Sequence, residues 1–207
     1  MSIIVSDIGE FGLIDKVRKC APITSGVVRG IGDDTAVLKY TKDKYQLFTT
    51  DMLVEGVHFT KAMGARNIGH KTLACSISDI AAMGGEPTHA VVSLGVALKT
   101  PVRFVEDLYK GMGALAKRFG VSIVGGDTVR SDKIVANVAL LGEVEKKYLV
   151  TRDGAKTGDW VFVTGPLGRS LKTGKHLTFT PRVEEARFLV KQFKPSDRKS
   201  TRLNSSH

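Results

Sequence analysis

Apolar residues recur along this chain in two rhythms. Within residues 10–20, Phe11, Leu13, Ile14 and Val17 keep a helical spacing. Residues 36–38 and 45–50 read as short strands, parted by the polar turn Thr41, Lys42, Asp43 and Lys44, so a hairpin is expected. Residues 66–83 carry Ile68, Leu73, Ile77 and Ile80 among many small residues and predict a long helix. Gly84 and Gly85 end it, and Pro87 blocks a restart. Residues 90–98 predict a strand, apolar on both faces in places and therefore central. Residues 101–119 predict a second long helix, with Pro101 suited to its first turn and Gly120 to its end. Strands follow at 121–124, stopped by Gly125 and Gly126, and at 134–144. The order β-β-α-β-α-β-β implies an α+β fold, a mixed β-sheet with helices on one face.

The rhythm changes near Thr151. The glycine-containing stretch TRDGAKTGDW leads into a strand-like run, WVFVTG, at 160–165. Residues 181–193 predict a further helix. One strand and one helix cannot close a core, so residues 1–150 read as one domain and residues 151–195 as the incomplete start of a second α+β domain. Residues 196–207, SDRKSTRLNSSH, hold one Leu among polar residues and cannot pack. They resemble translated adapter sequence and are expected to be a non-native, disordered tail.

Composition narrows the class. The 207 residues are 42% hydrophobic and 25% charged, an ordinary globular balance. No apolar run approaches the ~18 residues that span a bilayer. The N-terminus has no basic segment followed by an apolar one, so no signal peptide is expected. Cys20 and Cys75 lack metal-ligand spacing and read as free thiols in a reducing cytoplasm. The formal net charge of +10 raises nucleic acid as a partner. The Lys and Arg residues are scattered, and no nucleic-acid motif is present. A basic surface attracting small anionic substrates is the better reading, with no nucleic acid and no membrane as partner.

Against that basic background the acids cluster beside small residues. Asp34 lies in GIGDDTA, Asp51 ends FTTD after Thr49 and Thr50, Asp79 follows Ser78, and Asp127 follows Gly125 and Gly126. Glu55 lies in VEGVH, next to His58. Crowded carboxylates are costly without a cation beside them. Hard oxygen ligands beside glycines suit Mg²⁺, whose remaining ligands are water and substrate phosphates. Singly, each acid is equally well a turn, a cap or a solvated side chain. Together they suggest a polyphosphate–metal site. GPLGRSLKTGKH at 165–176 has neither the spacing nor the Ser/Thr of a P-loop. Cys75 reads best as a small buried hydrophobe, and no Ser-His-Asp arrangement stands out.

GIGDDTAVL, TTDMLVEGVHF, KTLACSISDIAAMGGEP, VGGDTVRS and TRDGAKTGDWVFVTG, in that order, resemble thiamine-monophosphate kinase over residues 8–195. That family belongs with aminoimidazole ribonucleotide synthetase and selenophosphate synthetase among ATP-dependent enzymes of one fold. The resemblance implies Mg²⁺-assisted phosphoryl transfer from ATP to thiamine monophosphate, giving thiamine diphosphate in a cytoplasmic homodimer. It implies that Asp34, Thr49, Thr50, Asp51, Asp79 and Asp127 hold several Mg²⁺ ions. It implies that Tyr109, Gly126, Asp127 and Arg152 bind nucleotide and that His58 reaches thiamine phosphate. No protein base is needed, because the nucleophile is a phosphate oxygen already ionised at neutral pH. The family continues with an Asp-x-Ser-Asp-Gly motif and a full second domain, where this pattern is lost after Lys194 and Pro195. Two alternatives stay open: a non-catalytic ATP/Mg²⁺-binding fragment, and selenophosphate synthetase, for which Cys20 lacks the expected setting.

Overall fold

The computed structural model describes residues 3–193 and 195. The expected non-native tail at 196–207 lies outside the described residues. Helix α1 (Val5–Cys20) leads into β1 (Val27–Arg29), β2 (Ala36–Lys39) and β3 (Lys44–Val54). Helix α2 (Ala65–Ala82), β4 (Glu86–Val96), α3 (Val102–Phe119), β5 (Ser122–Arg130) and β6 (Val135–Glu145) complete the main body. A short α4 (Lys175–Thr178) and α5 (Val183–Gln192) follow. The six strands form one sheet in the order β1-β2-β3-β6-β4-β5. All pairings are antiparallel except β4 with β5, so the sheet is mixed, as the α+β pattern implies.

The strand period of two decides what faces what. On β3, Leu47, Thr49 and Leu53 are buried, while Phe48, Thr50 and Met52 are exposed. Ala136, Val138 and Leu140 of β6 and Ala90, Val92 and Leu94 of β4 continue the buried face. There they meet Leu73, Ile77 and Ile80 of α2 in one core cluster. Helix α3 packs on α2 at very short range. A Cβ on Gly69 would come within 1.9 Å of the Leu108 carbonyl oxygen, and one on Gly111 within 2.0 Å of that of Arg66. Only glycine allows this crossing. Among the described residues no helix packs on the opposite face of the sheet, and Phe48, Met52 and Val91 lie open on it.

Several elements differ from expectation, and β1 is a strand the sequence did not predict. Helix α1 starts at Val5 and breaks at Gly9, whose φ of 63° is left-handed. Strand β4 begins at Glu86, with Pro87 inside it beside a register shift that spares the missing N–H. Strand β5 runs on through Gly125 and Gly126 to Arg130. A side chain at 126 would fall 1.9 Å from the Val92 carbonyl oxygen, so that glycine permits the pairing rather than ending it. Residues 160–163 form no strand, and Trp160, Val161 and Phe162 are exposed. A strand needs a neighbour to bond, and among the described residues none lies beside them.

After residue 150, α5 returns to pack on α2 and adds Val183 and Ala186 to the core. Arg187 clasps it there. Its Nε donates to Glu86 Oε1 at 2.9 Å, Nη1 to the Gly84 carbonyl at 2.8 Å and Nη2 to Glu145 Oε1 at 2.8 Å.

Candidate functional site

The turn before β2 holds the centre of the site. Asp34 is buried, and its carboxylate receives Arg152 through a short Nη2–Oδ1 ion pair. Its Oδ2 is also buried and has no hydrogen-bond partner. The Thr49 hydroxyl lies 3.1 Å from the Asp34 carbonyl oxygen and 2.9 Å from Asp79 Oδ2. One hydroxyl proton thus faces two acceptors. Asp51, two residues along β3 from Thr49, lies on the same face of the sheet and is partly buried. Asp34, Thr49, Asp51 and Asp79 therefore share the helix-covered face. A buried, unpartnered carboxylate oxygen is expensive, and a hard cation is the ligand that best relieves it.

A second acid, Asp33, organises the turn from behind. Its Oδ1 accepts the Asp34 N–H at 2.9 Å, and its Oδ2 accepts Arg29 Nε at 3.1 Å and the Arg152 N–H at 3.3 Å. Arg29 also pairs with Asp153 at 2.5 Å, which holds that carboxyl down at about 2. Asp33 and Arg29 therefore fix the backbone on both sides of the Asp34–Arg152 pair. Pairing with Asp34 raises the pKa of Arg152. Its Nε is buried and unpartnered.

Two of the expected ligands face the open side of the sheet. Thr50 points to the open face, where its hydroxyl donates to Asn137 Oδ1 at 2.9 Å. Asp127 is in register with exposed Ser93 and shares that open face. The structure thus divides the expected ring of six across the sheet. Among the described residues no three His, Cys, Asp or Glu side chains converge as a ready-made metal cage. Gly126 directly precedes Asp127 on β5, and the close approach of Val92 on β4 requires a glycine there. Tyr109 lies on α3, partly exposed, and forms no hydrogen bond to the other candidates; burial raises its pKa.

His58 sits in the turn after β3. Its Nδ1 accepts the Val54 N–H at 3.0 Å, so the neutral ring carries its proton on Nε2. Burial and the nearby charge of Lys71 lower its pKa. The Lys71 ammonium donates to the His58 carbonyl at 2.7 Å. Glu55 is structural: Oε2 accepts the Ile134 N–H at 3.0 Å and Oε1 pairs with Lys61 at 3.4 Å.

Sequence reading did not single out Asp33, Arg29 or Lys71. Asp33 had a signal, as the neighbour of Asp34 in GDD. Arg29 had none, and Lys71 stood in the motif KTLACSISD without a role, because their partners are set by folding.

Residues 32–144 match the family described as AIR synthase related protein, N-terminal domain. The chain belongs to that family. It is 42% identical over 166 residues to the thiamine-monophosphate kinase of Aquifex aeolicus, covering 80% of this chain and 52% of that protein. It is also 42% identical over 163 residues to that of Bacillus subtilis, covering 78% and 50%. The chain thus spans about half the length of the curated relatives it matches. A solved structure described as "AaThiL complexed with AMPPCP and TMP" overlays with a TM-score of 0.84 at 35% identity, over 92% of this chain and 65% of that one. No described helix is long and apolar enough to cross a membrane.

Proposed function

We propose that the protein to which this chain belongs is a thiamine-monophosphate kinase, transferring the γ-phosphoryl group of ATP to thiamine monophosphate in the cytoplasm. The observation that carries the reading is the buried Asp34 carboxylate with one oxygen unpartnered, beside Thr49, Asp79 and Arg152. The likeness to relatives of that name, and to a structure holding AMPPCP and TMP, supports it.

Asp34, Thr49, Asp51 and Asp79 would hold Mg²⁺, which when bound neutralises phosphate charge and aligns the transferring group. Arg152, next to these acids, supplies a planar guanidinium whose unpaired Nε can donate to a phosphate oxygen. His58 offers Nε2–H to the acceptor. An oxygen of the acceptor monophosphate forms the new bond to the γ-phosphorus, the bond from that phosphorus to its bridging oxygen breaks, and ADP leaves. The attacking oxygen is already ionised, so no side chain needs to take a proton, and the work is alignment and charge compensation. Thr50 and Asp127, across the sheet, stay out of this set. A homodimer would cover Phe48, Met52 and Val91 on the open sheet face; Met52→Asp would then give a monomer in sedimentation.

The test is thiamine diphosphate formation from thiamine monophosphate and Mg·ATP, with this chain beside its Asp51→Asn variant. Turnover that the variant loses supports the kinase reading. Mg²⁺-dependent ATP binding without turnover, weakened by Asp51→Asn, favours a nucleotide-binding segment. Neither turnover nor binding counts against both.

A further inference from the structure

Lys71 is the strongest uncommitted cation near the site. It lies on α2, two helical turns before Asp79, and Cys75 and Ser78 fall on the same side of the helix. The helix rise places the two Cα atoms about 12 Å apart. Lys71 is half-buried, and among the described residues no carboxylate lies within ion-pair distance of its ammonium. Lys44, Lys61 and Lys110, by contrast, each pair with an acid. One of its three N–H donors goes to the His58 carbonyl at 2.7 Å. Burial accordingly lowers its pKa, which a bound anion would reverse.

The neighbours define what that anion is. The His58 ring presents Nε2–H from the same turn, because its Nδ1 is occupied by the Val54 N–H. A half-buried ammonium with free donors and an imidazole N–H suit a compact dianion. Asp79, one of the acids that would hold Mg²⁺ for the donor phosphates, lies two turns further along α2. An acceptor phosphate held at Lys71 would then sit between His58 and those acids, where the two reacting groups must meet.

We propose that Lys71 binds the phosphate of the acceptor substrate and so makes the site selective for a phosphorylated acceptor over the free alcohol. This rests on the kinase reading above. Lys71 is a binding residue: it orients the attacking oxygen and takes no proton.

Calorimetric titration of this chain with thiamine monophosphate and with unphosphorylated thiamine tests it. The readout is the ratio of the two affinities, which a merely structural lysine would not move. Wild type is expected to favour the monophosphate by about 10- to 100-fold, the range of a charge-assisted hydrogen bond. Lys71→Met should bring the ratio near one, and Lys71→Arg should restore most of it. Lys71→Gln keeps a donor for the His58 carbonyl without the charge, and should also lose the selectivity. Unchanged circular dichroism and unchanged Mg·AMPPCP affinity confirm that each variant is folded. A ratio preserved in folded Lys71→Met or Lys71→Gln overturns the assignment while the kinase reading stands. A wild-type chain that binds Mg·AMPPCP yet does not distinguish the two acceptors overturns it as well. Failure of wild type to bind either nucleotide or acceptor removes the kinase reading and the assignment together.

Discussion

Two arginine networks in this molecule are built to opposite ends. Around Arg187 each guanidinium nitrogen has a partner: Glu86, the Gly84 carbonyl and Glu145 take its Nε, Nη1 and Nη2. Around Arg152 the accounting does not close. Its Nε and Asp34 Oδ2 are both buried without partners. A satisfied polar network rigidifies, whereas an unsatisfied one costs stability that only a ligand recovers. The Arg187 clasp therefore fixes α5 against the end of the sheet. The Arg152 cluster is held, unsaturated, by Arg29 and Asp33.

That contrast can be broken most forcefully at Asp34. Asp34→Asn should weaken Mg²⁺-dependent AMPPCP binding by about 10- to 100-fold, with the urea unfolding midpoint little changed. Unaltered nucleotide affinity in calorimetry would mean the unsatisfied cluster is not the nucleotide site. At the other network, Arg187→Met should cost about 1–3 kcal/mol of stability by urea unfolding, because a buried carbonyl and two acids lose their donor. Its AMPPCP affinity should stay at the wild-type value. A variant that lost affinity and kept stability would reverse the roles assigned here.

Acid titration sharpens the same point. The Arg187 guanidinium beside Glu145 lowers that carboxyl from 4.5 to about 2. A depressed carboxyl stabilises the fold fully above its unfolded pKa and loses that contribution as pH falls through its folded one. Wild-type stability should therefore decline between about pH 4.5 and pH 2, and Arg187→Met should lack the share due to Glu145. Parallel curves for the two proteins in acid unfolding would sink the argument. The smallest effect is expected at Arg29→Gln, whose ion pairs are part-exposed: less than about 1 kcal/mol of stability. Its AMPPCP affinity should drop nonetheless, because Asp33 would hold the Arg152 backbone less firmly.

Much of the sheet was legible in the chain itself. The alternation over 45–50 and the hairpin turn at 41–44 are local signals, and both strands form there. Gly120 ends α3 in the left-handed conformation its type suggested. The run at 160–163 has the same strand composition and forms none, because pairing partners are not a property of the segment. Gly125 and Gly126 read as a stop, yet β5 passes through them, because the close approach to Val92 was invisible in sequence. In the site, Asp34, Thr49 and Asp79 carried their small-residue escorts openly. Asp33 did not declare its role, since the Arg152 N–H it accepts is 119 residues away.

By itself the sequence determined which residues could belong to a charged site, since acids beside glycine, serine and threonine permit close approach by ligand or backbone. It also determined that Thr49 and Thr50 must point to opposite sides, because successive strand residues always do. Only the tertiary structure decided which of them faces Asp79. That choice depends on α2 covering one side of the sheet, and on nothing local to Thr49 or Thr50.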